Sequence, residues 1–216
     1  MNSTTFERKV TYENLNILPK QYGIMENEPY LSQKMVHDEI ENKHIYCYYA
    51  GKYYSKEKFG PNDYSRHVLY SKWENRSEEF WPQIDATYLY ACKQENENFD
   101  CSCLIPSSKT SDRLYNVSCQ NLQDRIEKKY GLKKMNILIE KPGCQKSTTL
   151  KFHERLRQLR IYADIDLSMP ITGKSFLLID DVVAGGSHVI AYSSLLYKNG
   201  AKNVAAVLIA ENQLGW

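Results

Sequence analysis

The sequence predicts an α/β protein built on a parallel sheet, and three observations carry that expectation. Short apolar runs recur in the second half of the chain, at Cys101–Ile105, Met135–Ile139, Ser175–Ile179 and Val204–Ala210, and the last two are unbroken, as strands covered on both faces require. Stretches of helical length and pattern separate them. Two unusual loops, 106–111 and 180–188, follow the first and third of these strands. With right-handed crossovers, both loops fall at the carboxyl edge of the sheet, where such sheets bind ligands.

From the N-terminus, residues 1–40 are weakly patterned, and Leu31–Ile40 reads as a helix. Ile45–Tyr49 and Lys52–Ser55 are aromatic and β-prone, and read as a hairpin about Ala50-Gly51. Asn62 or Asp63 can cap a helix running to about Lys72, and Ser77 can cap another ending near Gln94, with Pro82 early enough to be tolerated. Composition shifts near residue 100, where the strand and helix alternation begins. Cys101–Ile105 is the first strand. Leu114–Tyr130 reads as a helix closed by Gly131, and Met135–Ile139 as the next strand. Residues 141–160 are polar and basic, with a helix at Leu150–Leu159; on it Lys151 and Arg155 share one side while Leu156 and Leu159 pack inward. A solvated cationic face and contact with a phosphate-bearing acceptor or nucleic acid are both open for that helix. Ser175–Ile179 is a buried strand, Val189–Lys198 a helix ending at Asn199-Gly200, and Val204–Ala210 the last strand.

Composition limits the classes of function. The 216 residues are 25% charged and 42% hydrophobic, with 28 basic against 26 acidic side chains and a net charge of +2. A strongly cationic nucleic-acid coat is therefore excluded. The longest apolar run, Val204–Ala210, is too short to span a bilayer, and residues 1–9 lack the apolar core of a signal peptide. A cytoplasmic location without membrane contact is expected. None of the six cysteines forms a CxxC pair, which leaves a zinc ribbon unsupported. His44 and Cys47 have ligand-like spacing but no second pair.

The segment that carries chemistry is Phe176-Leu177-Leu178-Ile179-Asp180-Asp181-Val182-Val183-Ala184-Gly185-Gly186-Ser187-His188. An apolar strand delivers two carboxylates, then a small-residue loop that opens a helix. Carboxylates accept hydrogen bonds from ribose hydroxyls. Glycines let backbone N–H groups approach a phosphate, and the helix N-terminus adds partial positive charge. The pattern suits a ribose 5-phosphate group. Both acidic side chains are expected to face solvent at the strand end.

This segment resembles the phosphoribosyl-pyrophosphate (PRPP) loop of type I phosphoribosyltransferases. Asp180, Asp181, Val182, Val183 and Gly186 match that pattern, while Ala184, Gly185 and His188 stand where threonines are usual. The resemblance is closest to the competence-protein-F-like (ComF-like) branch. Arg113-Leu114-Tyr115-Asn116 is similar to its arginine-glycine-aromatic-asparagine stretch, the segment Tyr64 to Trp73 to its helix with a lysine-aromatic pair, and Gln145 to Arg155 to its glutamine, leucine and arginine segment. The branch's cysteine-rich zinc module is absent. The similarity runs through residues 44–210 in order and spacing. It implies a phosphoribosyltransferase-like domain over 44–216, made of a hairpin and helices (44–99) and a βα core (100–216), with residues 1–43 as an N-terminal α+β extension.

The resemblance implies an enzyme of the glycosyltransferase class. It would bind PRPP or a related ribose phosphate with Mg²⁺, release pyrophosphate and transfer the phosphoribosyl group to an unidentified acceptor. Asp180 and Asp181 are the expected catalytic pair, with Mg²⁺ carried by the substrate and touching Asp180 at most. Ala184, Gly185, Gly186, Ser187 and His188 would hold the 5-phosphate. Ser107, Ser108 and Lys109, in the loop after the first core strand, would hold diphosphate, with Lys109 as the cation and Arg113 binding substrate or bracing the loop or the sheet edge. Replacing Ala184, Gly185 and His188 by threonine is expected to tighten PRPP, since each hydroxyl hydrogen bond is worth about 1 kcal/mol. The alternative is a weakly active or non-catalytic relative that senses a nucleotide as an accessory or effector in a DNA-uptake or anti-phage defence complex. A second copy of the chain and a protein or nucleoprotein complex are the macromolecular partners expected. The region up to about Ser55 is expected to be a lid or docking surface, so that removal of residues 1–43 would spare the core.

Overall fold

The computed structural model describes residues 10–11, 30–53, 65, 68, 77–106, 116–145 and 150–212. In chain order its strands are β1 (Val10–Thr11), β2 (Tyr30–Asp38), β3 (Lys43–Tyr49), β4 (Lys52–Tyr53), β5 (Cys101–Leu104), β6 (Lys133–Lys134), β7 (Leu138–Glu140), β8 (Ala163–Ile165), β9 (Ser175–Val183) and β10 (Asn203–Asn212). The helices are α1 (Trp81–Glu95), preceded by a 3₁₀ turn at Ser77–Phe80, α2 (Val117–Tyr130), α3 (Phe152–Tyr162) and α4 (Ser187–Lys198). The main sheet has the order β1-β2-β3-β10-β9-β5-β6, with β4 also pairing β10. From β3 to β6 every pairing is parallel, and β1 and β2 extend the sheet in antiparallel fashion. The chain is thus of the α/β class, with a mostly parallel central sheet, as expected.

Helices cover both faces. On one face α3 and α4 bring Leu156, Leu159, Val189, Ile190 and Tyr192 onto Phe176, Leu178, Ala206 and Leu208. On the other, α1 and α2 bring Ile84, Tyr90, Leu122 and Ile126 onto Leu177, Ile179, Ala205 and Val207. Every residue from Val204 to Ala210 is at most 2% exposed. That is why β9 and β10 read as continuous apolar runs: both their faces are interior. Among the described residues no helix is long and apolar enough to cross a membrane.

Several elements differ from the sequence expectation. Leu31–Ile40 is not a helix; β2 occupies it and pairs β3 from Ser32↔Tyr49 to Asp38↔Lys43. Leu31, Met35 and Val36 fit helical spacing; in the strand Leu31 and Val36 are buried on opposite faces of the sheet, and β3 as a neighbour decides the outcome. The expected hairpin about Ala50-Gly51 is absent, because β3 and β4 both run parallel to β10. The antiparallel hairpin is β2–β3. Its turn carries Asn42 at φ 49°, and Ile40 N donates to Asp38 Oδ1 at 3.0 Å. The boundary expected after residue 43 coincides with the first residue of β3, so residues 30–43 share the sheet with the rest.

The single strand expected at Met135–Ile139 is two pieces: β6 pairs β5, and β7 pairs β8 in a separate two-stranded sheet. Strand β9 continues through the acidic pair to Val183, and α4 begins at Ser187, which shortens the expected loop 180–188 to three residues. The helix expected from Asn62 or Asp63 to Lys72 lies outside the described residues, apart from helical positions at Ser65 and Val68.

Candidate functional site

The carboxyl ends of β9, β5 and β10 meet at the candidate site. Asp180 lies opposite Leu208 of β10, and Ile105 N donates to Ile179 O at 3.1 Å, so the chain after β5 leaves the sheet beside the acidic pair. Successive strand residues point to opposite faces. Asp181 therefore points to the α2 side, where Asn116 Nδ2 donates to its Oδ2 at 2.9 Å. Asp180 points to the α3 and α4 side. The acidic pair does not simply face solvent: Asp181 is 8% exposed and Asp180 half-buried. Each carboxylate also accepts a backbone N–H from the next residue, Asp181 N to Asp180 Oδ1 at 2.8 Å and Val182 N to Asp181 Oδ1 at 2.7 Å. Cys119, in the first turns of α2, completes a group whose ligand atoms lie within 4.8 Å of one another.

The glycine loop is held from three sides. Lys34 Nζ of β2 donates to Ala184 O at 2.9 Å and to Glu211 Oε1 at 3.0 Å, and Tyr49 OH donates to Glu211 Oε2 at 2.8 Å. Phe152, at the start of α3, lies against Gly185, where a Cβ would come within 2.7 Å of its Cδ2. Gly186 adopts φ +81° as the N-cap of α4, and a Cβ there would come within 2.5 Å of Val36 Cγ1. Only glycine fits both the left-handed backbone and the close approach. Among the described residues no side chain caps the first turn of α4, which leaves its leading N–H groups as donors for an anion. Ser187 is 4% exposed in that turn.

His188 points toward α3. Arg155 Nη2 lies 2.6 Å from His188 Nδ1, and His188 Nε2 lies 3.9 Å from Glu140 Oε2. Burial, followed by the adjacent guanidinium, pushes the imidazole pKa down to about 3, so the ring is neutral. A neutral ring beside an arginine accepts at Nδ1 and carries its proton on Nε2. Burial raises the Glu140 pKa, partly offset by Arg155. The positive charge beside the loop therefore belongs to Arg155, not to His188.

Of the expected site residues, the structure brings Asp180, Asp181, Ala184, Gly185, Gly186, Ser187 and His188 to one sheet edge. Ser107, Ser108, Lys109 and Arg113 lie outside the described residues. Residue type and spacing alone do not assign Lys34, Asn116, Glu140 or Phe152 to the site. Arg155 and Asn116 both fall inside segments that resemble a family motif, and Arg155 also lies on the cationic helix face open to a phosphate-bearing acceptor.

No family model matches the chain, and no curated protein matches it. Among solved structures it is similar to a hypoxanthine phosphoribosyltransferase from Staphylococcus aureus, at 14% sequence identity and a TM-score of 0.39. The similarity covers 62% of this chain and 64% of that one, so the chain spans less than two thirds of that protein.

Proposed function

We propose that the chain binds PRPP or a related ribose 5-phosphate at the carboxyl ends of β9 and β5, and transfers the phosphoribosyl group to an acceptor with release of pyrophosphate. The observation that carries this reading is the order strand, acidic pair, glycine N-cap and helix at one edge of a parallel sheet, with Asn116 fixing Asp181. Asp180 and Asp181 accept from the ribose hydroxyls. The leading N–H groups of α4 take the 5-phosphate, with Gly185 and Gly186 keeping side chains out of its way. Arg155 supplies the nearby cation. Ser107, Ser108 and Lys109 hold the diphosphate, and Arg113 is the further substrate-binding residue of this reading. The type I phosphoribosyltransferase fold and its ComF-like branch are part of this reading, supported by the Asn116 contact, since that asparagine belongs to the stretch similar to the branch's motif.

The two carboxylates offer the hard oxygen ligands that Mg²⁺ prefers, whereas the Cys119 thiol is not a ligand for it. When bound on the diphosphate, Mg²⁺ neutralises the leaving group. The chain's own task is to orient the ribose and to set fixed dipoles around the developing positive charge.

A second reading is ligand sensing without transfer, in an accessory or effector role. Ala184, Gly185 and His188 favour it, because they stand where threonine hydroxyls would otherwise help to hold the 5-phosphate. Titration calorimetry with PRPP and Mg²⁺, paired with a pyrophosphate-release assay across nucleobases, separates the two. Binding with release supports transfer; binding without release under every acceptor supports sensing. Loss of binding in a folded Asp180→Asn/Asp181→Asn variant assigns the ligand to this edge. If the parent binds no PRPP, both readings fall.

A further inference from the structure

The ligand-like spacing of His44 and Cys47 comes to nothing in the fold. Three residues apart on β3, they point to opposite faces, and Cys47 is 0% exposed. His44 has a different neighbour. In the β2–β3 register it lies directly across from His37, and the two rings stand 4.7 Å apart between centroids, tilted by 36°. Both residues are exposed. The next rung, Val36↔Ile45, is buried at 6% and 0%, so the backbone carrying the two histidines is held by the core. From this pair we infer a binding site for a late first-row divalent cation, Zn²⁺, Ni²⁺ or Cu²⁺, on the exposed end of the β2–β3 hairpin.

The chemistry follows from the register. Residues directly opposite on antiparallel strands have Cβ atoms about 5 Å apart. One nitrogen from each imidazole can then meet one ion at about 2.0–2.1 Å, with water in the open positions. Imidazole suits these borderline cations, while Mg²⁺ and Ca²⁺ prefer oxygen. Glu39 and Glu41 lie in the turn between the strands. The ion would clamp β2 to β3, and β2 is the strand whose Lys34 reaches the glycine loop. The inference does not depend on what the carboxyl-edge site binds.

Calorimetry on the full chain without a histidine tag, after chelator treatment, tests it with Ni²⁺, Cu²⁺, Zn²⁺ and Mg²⁺. The expected result is one ion per chain that depends on the two histidines, with Cu²⁺ tighter than Ni²⁺ or Zn²⁺, while any heat from Mg²⁺ belongs to the Asp180–Asp181 edge and is unchanged in the histidine variants. His37→Ala and His44→Ala should each weaken binding by at least about tenfold, the lower end of what a change behind a ligand costs. His153→Ala, an exposed histidine on α3, should change nothing. His37→Gln, with circular dichroism matching the parent, guards against a folding effect. Absence of binding, or binding that persists in His37→Ala and His37→Gln, overturns the inference.

Discussion

Asn116 Nδ2 donates to Asp181 Oδ2 at 2.9 Å while its Oδ1 accepts from Ser118 N at 3.0 Å. One side chain thus caps α2 and holds the acidic end of β9. Asn116→Ala should lower stability by about 2 kcal/mol, combining about 1 kcal/mol for the cap with part of a charge-assisted hydrogen bond. Asn116→Ser, which can still cap, should recover about half. Urea unfolding measures both, and an unchanged midpoint in Asn116→Ala would show that the contact carries no weight.

Threonine at position 185 does not fit the loop as it is packed. With a Cβ already 2.7 Å from Phe152 Cδ2, Gly185→Thr should cost about 1–3 kcal/mol as overpacking. The expectation that three threonines would tighten PRPP therefore needs a smaller residue at 152. In the Phe152→Ala background, Gly185→Thr should cost less than in the parent. Thermal unfolding of the four chains gives the coupling, and a coupling of zero would place Phe152 elsewhere in solution.

His188 makes stability depend on pH. Its folded pKa of about 3 lies below the ordinary value of 6.5, so between these pH values the unfolded chain binds the extra proton. The stability from a neutral His188 is complete above pH 6.5 and is lost as pH falls toward 3, by an amount on the order of a few kcal/mol. His188→Gln removes this titration and should flatten the fall between pH 6.5 and 4.5. Parallel pH profiles for parent and variant would mean that the ring is protonated or exposed.

Lys34 and Glu211 are 15% and 8% exposed and 3.0 Å apart. Lys34→Met leaves a buried carboxylate without its cation and should cost about 3 kcal/mol. Adding Glu211→Gln should cost less than the two single changes summed, as a double-mutant cycle measures. Strict additivity would dissolve the pair. By the same logic, removal of residues 1–43 takes away β2 and is expected to destabilise the sheet instead of sparing it.

What could be read in the sequence was local. The run from Phe176 to His188 carries its own strand, acids, glycines and helix start within thirteen consecutive positions, so order along the chain was enough. In β2 the apolar residues Leu31, Met35 and Val36 suit helical spacing, while in the strand Leu31 and Val36 enter opposite layers, so only pairing with β3 reveals it. The supports of the site were hidden for a related reason. Asn116 meets Asp181 across 65 positions, and Arg155 meets His188 across 33; no spacing rule encodes such contacts. Burial was hidden too, since an acidic pair at a strand end reads as solvated until α2 is laid against it.

The Lys34 contacts bear on how the protein comes into being. They close spans of 150 and 177 residues, to Ala184 and Glu211, and long closures are made late because their entropy is lost before any contact compensates it. During synthesis the lysine is made 150 residues before Ala184 and 177 before Glu211. The glycine loop thus acquires its brace only once β10 is in place, and released chains truncated before residue 203 should remain open to protease at residues 184–186.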